Sequence, residues 1–144
     1  MADKWLVLGD RLILDDADQR VVEVVLARSD RGSVQAVRIT PELGGEDTWL
    51  LQIEDEDLLA AEPTEADALE AEEASIGEER FGREWTCEVR TERAAAGERA
   101  HFGRGECALY RSDAGVAVLV SDQRGATAFV GRALDPARVD LRFT

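Results

Sequence analysis

The chain holds few of the residues from which active sites, metal centres and disulfide frameworks are built: 2 cysteines, 1 histidine and 3 prolines among 144 residues. Two cysteines, Cys87 and Cys107, are too few for a disulfide scaffold and fit a reducing compartment. A single histidine with no Cys-x-x-Cys leaves zinc without its convergent ligands, so no metal is expected. No apolar run approaches the roughly 20 residues that span a bilayer. The opening Met1-Ala2-Asp3-Lys4-Trp5 lacks the basic-then-apolar order of a secretory signal. A cytoplasmic protein that does not insert into a membrane is the expectation. A basic stripe is missing too. Residues 80–144 mix 11 arginines with 9 acidic residues, and duplex nucleic acid, which demands clustered Lys and Arg, is not an expected partner. Gly103-Arg104-Gly105 is too short for a phosphate-cradling fingerprint, and no cofactor is expected.

Acid is what the chain has in surplus, and it is confined. The formal charge is -14, from 31 Asp+Glu against 17 Lys+Arg. Between Glu54 and Glu79 lie 12 acidic residues and no basic one, so the remainder is nearly neutral at -2. The acidic stretch divides the chain into a first half (1–53), an insert (54–79) and a second half (80–144), read here as one β-rich domain. Ala, Glu and Asp dominate the insert, and Leu69 is the one strong apolar residue within Glu65–Ala74. Pro63-Thr64 suits a helix opening with Thr64 as its cap, which predicts a poorly packed, partly helical linker.

Both flanking halves read as strands. Val21-Val22-Glu23-Val24-Val25-Leu26 is apolar on both faces, as in a central strand. Trp49, Leu51 and Ile53 alternate with Thr48, Leu50 and Gln52. In the second half, Trp85, Cys87 and Val89 share a face, as do Cys107 and Leu109 with Tyr110 opposed, and Val139, Leu141 and Phe143. Turn residues punctuate these runs at Gly9-Asp10, Asp15 to Asp18, Ser29 to Gly32, Pro41 to Gly45 and Asp113 to Gly115. The expected class is mainly β, an antiparallel meander or barrel-like sheets in two halves.

Candidate chemistry is thin. A Cys–His nucleophile would have to combine His101 with Cys87 or Cys107, yet both thiols fall inside alternating strands, where cysteine behaves as a small apolar residue. Asp15-Asp16-Ala17-Asp18 offers oxygen ligands, but counted from Asp16 the sixth position is Val21 and no Glu stands at the twelfth. The calcium-loop pattern fails, and a solvated hairpin turn is expected.

One set of landmarks has a family likeness. Gly9-Asp10, Asp47-Thr48-Trp49-Leu50-Leu51, Gly97-Glu98-Arg99, Glu106-Cys107-Ala108-Leu109-Tyr110-Arg111, Val118-Leu119-Val120 and Phe129-Val130-Gly131-Arg132 follow one another in an order that resembles the bacterial family called domain of unknown function 4178. That resemblance implies a β-rich bacterial module of two similar halves, without assigned catalytic residues. It is found in company with phage-shock-type membrane-stress proteins and spermidine-synthase-like enzymes.

The functional expectation is a non-enzymatic interaction module of a bacterial envelope-stress system. Glu62, Glu65, Asp67, Glu70, Glu72 and Glu73 would dock a cationic or membrane-associated protein partner. The alternative is a small-molecule-binding β-barrel whose pocket is lined by Trp85 and Phe129.

Overall fold

The structure, a computed structural model, describes residues 5–64, 72–76 and 78–142. Its strands are β1 (Arg11–Leu14), β2 (Ala17–Ser29), β3 (Gly32–Pro41), β4 (Thr48–Ile53), β5 (Leu59–Thr64), β6 (Glu73–Ile76), β7 (Glu79–Ala95), β8 (His101–Arg111), β9 (Gly115–Asp122), β10 (Gly125–Ala133) and β11 (Val139–Arg142). Every pairing among them is antiparallel, and the mainly-β expectation holds. Two-residue turns set much of the register. Leu14 pairs with Ala17 across Asp15 and Asp16, both at positive φ (52° and 65°), the primed geometry whose twist matches that of a hairpin. The Asp-rich run is therefore the hairpin turn that its composition suggested.

The strands follow the order β11-β1-β2-β3-β4-β5-β10-β9-β8-β7-β6, and a further pairing of β2 with β7 closes eight of them into a barrel. Closure removes the open edges on which strands aggregate. The closing seam runs from Glu23↔Ala95 to Arg28↔Arg90. β2 and β7 are long because each serves two neighbours in turn. The start of β2 pairs with β1 and its remainder with β7, while the start of β7 pairs with β6 and its end with β2. A register shift marks each hand-over, between Val21 and Glu23 in β2 and between Arg83 and Trp85 in β7. Extra residues at such points bend a strand and raise its twist. β1–β5 and β6–β10 thus share one plan, joined through β2·β7 and β5·β10.

Period-two alternation sorts the core into layers. Val25, Ala27, Val34, Ala36, Leu51, Ile53, Val89, Cys107, Leu109, Val118 and Phe129 belong to one cluster drawn from all eight barrel strands, with Ala61 from β5: this is the interior. The alternate positions of the first half, Val24, Leu26, Val37, Ile39 and Leu50, point outward under a cover made by Leu6, Leu12, Leu14 and Leu134. Those of the second half, Ala108, Tyr110, Ala117, Ala128 and Val130, lie with Ala74 of β6 and Phe81 of β7. The cover of the first half is held by polar bonds. Gln35 donates to the Leu6 carbonyl (2.8 Å) and to Gln52 Oε1 (2.8 Å), which also accepts from the Leu6 N–H (3.0 Å), so both buried amides are partnered.

The acidic segment corrects the sequence reading. Leu59–Thr64 is a barrel strand between β4 and β10, and Glu73–Ile76 is paired with β7. Thr64 ends β5 opposite Ala128. Ala and Glu favour helix intrinsically, but a slot with strands on both sides outweighs that small preference. Pro63 is tolerated because β4 pairs only with Leu59, Ala60 and Ala61, leaving no partner for a missing N–H on that side. The rest of the expected helix, 65–71, lies outside the described residues.

Candidate functional site

The expected docking carboxylates separate into two groups. Glu62 stands exposed on β5 opposite Val130, Glu73 opens β6 opposite Gly82, and Glu72 next to it lies 3.7 Å from Arg83 with its side chain 88% exposed. Val130 and Ala74 belong to the same outer cluster, which brings the two flanks of the segment to one side of the barrel. Glu65, Asp67 and Glu70 lie outside the described residues. The margins of the segment are anchored. Glu56 pairs with Arg111, raising the guanidinium's pKa, and Glu79 pairs with Arg132 (2.8 Å). The Arg132 hydrogen bond, with a second from Ser112, holds the Glu79 carboxyl below its usual range.

A second polar set occupies one mouth of the barrel, on inward-facing positions. Arg38 of β3 bonds Glu23 of β2 (2.9 Å) and Asp47 just before β4. Across the mouth, Arg93 Nε of β7 donates to Asp122 Oδ2 of β9 (2.6 Å), whose Oδ1 accepts the Arg124 backbone N–H (2.8 Å). The Asp122 side chain is 5% exposed and that of Arg93 17%. Burial by itself would raise the Asp122 pKa, but the bonds from Arg93, the Arg124 backbone and Thr91 outweigh it and the net shift is downward. These groups satisfy one another at the mouth. Sequence reading missed them because Arg93 and Asp122 are distant along the chain and adjacent only once β7 and β9 flank β8 in the sheet. The usable signal was a charge falling on the inward phase of an otherwise apolar strand.

The nucleophile candidates do not converge. Cys87 and Cys107 are direct cross-strand partners facing the interior, whereas His101 pairs with Arg93 six positions before Cys107 on β8, a separation of about 20 Å at strand rise. Burial, with a smaller contribution from Cys87, pushes the Cys107 thiol well above its ordinary value. A thiolate is the reactive form. A colorimetric thiol reagent should therefore titrate at most Cys87 in the native protein, and both thiols only after denaturation. Rapid native labelling of Cys107 would contradict this burial.

At the Asp15–Asp16 turn, Arg138 forks onto Asp15 (2.6 and 2.8 Å), and this bond lowers the carboxyl's pKa. The ion pair ties the turn to the 3-10 turn Pro136–Arg138 that leads into β11. Among the described residues no group of three or more His, Cys, Asp and Glu side chains is placed to hold a metal. None of their helices is long and apolar enough to cross a membrane, which says nothing about crossing by strands.

The pair Trp49 and Phe129, with ring centroids 4.9 Å apart, fills the interior, and Trp85 packs against the same cluster. Phe129 is fully buried, and the hollows formed by Arg28–Glu106, Glu72–Arg83 and Glu23–Arg124 residues all open to solvent. The class defined by this geometry is a closed, eight-stranded antiparallel β-barrel with a packed interior and outer flaps on each half. No family model matches the chain, and neither the curated proteins nor the solved structures contain a match to it.

Proposed function

We propose that this protein is a non-enzymatic interaction module that works from its outer surface, its acidic segment docking a cationic partner. The carrying observation is the confinement of 12 acidic residues, unrelieved by any basic one, to Glu54–Glu79. Of these, Glu62, Glu72 and Glu73 stand exposed on the outside of a barrel whose margins are ion-paired. The packing of Trp49, Trp85 and Phe129 into the interior favours this reading over a barrel that encloses a small molecule. Clustered carboxylates accelerate encounter with basic surfaces and lose that advantage as salt screens them. A place in a bacterial envelope-stress system rests solely on the resemblance to domain of unknown function 4178.

Deleting the segment is a poor test, since it would remove both β5 and β6. Substitution is better: Glu62, Glu65, Glu70, Glu72 and Glu73 to Gln and Asp67 to Asn together. These six changes should shift the melting temperature by only a few degrees, because exposed charges contribute little to stability. They should weaken salt-sensitive capture of a basic protein from bacterial lysate at least about tenfold. Capture that survives all six substitutions would sink the docking assignment.

A further inference from the structure

The outer face of the closing seam carries a charge pattern that the isolated chain does not use. Arg28 of β2, Arg90 of β7 and Arg104 of β8 are direct neighbours, Arg28↔Arg90 and Arg90↔Arg104, and all three are exposed. Two residues further along β7 and β8 stand Glu88 and Glu106, in register with each other, and Asp30 in the turn after β2 lines the same hollow; all three are exposed. Rows of like charge thus lie side by side, each about 4.8 Å per strand and the two about 7 Å apart. Like charges directly opposite on adjacent strands are destabilising. Eight other arginines do have carboxylate partners, among them Arg20 with Glu42, Arg93 with Asp122, Arg132 with Glu79 and Arg138 with Asp15. Among the described residues, no ion pair or side-chain hydrogen bond engages any of these six side chains.

Between the rows run Ser29, Val89 and Gly105, which belong to the opposite phase of the strands and raise no long side chain on this face. The result is an open hollow of about 750 Å³ with arginines along one bank and carboxylates along the other. An anion long enough to span the arginines would meet the acidic bank, and a cation the reverse. A surface of the same pattern, turned end over end, satisfies both. We propose that this face joins two copies of the chain in an isologous dimer, the arginine row of each lying on the acidic row of the other. A two-fold axis lying in the interface between the rows, parallel to them, carries each position to its own strand. It sets Arg90 against Glu88 of the second copy, Arg104 against Glu106 and Arg28 against Asp30, each pair twice. Phe102, 74% exposed on the same face of β8 beside Arg104, adds an apolar surface at the edge of this contact. The inference stands apart from the acidic-segment reading, whose six test substitutions leave this face untouched.

Sedimentation velocity of the full chain at about 0.15 M salt, where the Debye length is ~8 Å, reads the pairing while damping the repulsion between two chains of formal charge -14. The expected species has twice the 15.8 kDa chain mass and dissociates in 1 M salt. Arg90→Glu alone and Glu88→Arg alone should each raise the dissociation constant about 100-fold, because symmetry places every change in two pairs. The double variant Arg90→Glu/Glu88→Arg exchanges the banks and should restore the dimer. Near-UV circular dichroism confirms that each variant is folded. A wild-type monomer, a dimer indifferent to Arg90→Glu, or a folded double variant that stays monomeric would each overturn the proposal. So would loss with Arg90→Glu but not with Glu88→Arg, which would send the arginines to a different acidic surface.

Discussion

Gly105→Ala should abolish the cooperative fold, the largest single-residue effect expected in this protein. A β-carbon built on Gly105 would lie 1.7 Å from the backbone carbonyl oxygen of Ser121 and 2.9 Å from the Asp122 Cα. Those atoms are main chain of β9, in the stretch that pairs with Gly105 and Glu106, and no rotamer change removes them. The barrel turns a corner where β8 crosses close to β9, a place where glycine admits a second backbone. Separating the strands would cost the Gly105↔Asp122 and Glu106↔Ser121 pairings and open the interior beside Cys107. The expected destabilisation exceeds about 4 kcal/mol, against a total of roughly 5–15 kcal/mol for a domain. Urea titration followed by near-UV circular dichroism should show no native baseline. Gly82→Ala is the control. Nothing lies within 4 Å of its β-carbon, so it should change stability by no more than about 0.5 kcal/mol. If Gly105→Ala melts like the control, the close crossing of β8 and β9 is wrong.

The second large effect is expected at the barrel mouth. Asp122→Asn keeps the side chain's shape but leaves the Arg93 guanidinium, 17% exposed, without its counter-charge. Removing one partner of a buried pair costs about 3–5 kcal/mol, and the lower end applies because the mouth touches solvent. A loss near 3 kcal/mol corresponds to a fall of roughly 10 °C in Tm for a chain of this size. The effect should depend on pH with a definite sign. The folded-state pKa of Asp122 is depressed below 3.8, so its stabilisation is present above that value and fades as pH falls through the lower, folded pKa. The gap between wild type and Asp122→Asn should accordingly be constant near neutral pH and shrink below about pH 4. A gap that widens on acidification would mean that Asp122 is not the charge holding Arg93. Arg93→Met, which removes the other charge, should cost less in combination with Asp122→Asn than the separate losses summed, since the two share one interaction.

How far the sequence could be read depended on whether a strand's two faces differ. Thr48–Ile53, Trp85–Val89 and Glu106–Arg111 alternate and Val116–Val120 is apolar throughout, and each lies within a strand. Leu59–Thr64 and Glu73–Ile76 defeat that reading, because Ala61 and Ala74 are the small residues that fill their buried positions. Alanine has too little side chain to announce a buried face, and with Glu around it the local preference is helical. The same limit applies to the charged sites. Arg28, Arg90 and Arg104 are unremarkable one at a time, and their row exists only through the registers β2·β7 and β7·β8.

By itself, then, the sequence determined what its local terms determine: a mainly β chain with turns in Asp15–Asp18 and Asp113–Gly115, and a charge excess confined to one segment. It also limited the chemistry, since one histidine and two strand-borne cysteines supply few nucleophile–base pairs. Closure of the barrel, the places of β5 and β6, the ion pair of Arg93 with Asp122 and the facing rows of arginine and carboxylate were decided only by tertiary structure. The reason is physical. Alternation and turn propensity act over a few residues, whereas a barrel closes through the pairing of residues dozens of positions apart. Those pairings reward a choice of partner that no local pattern encodes.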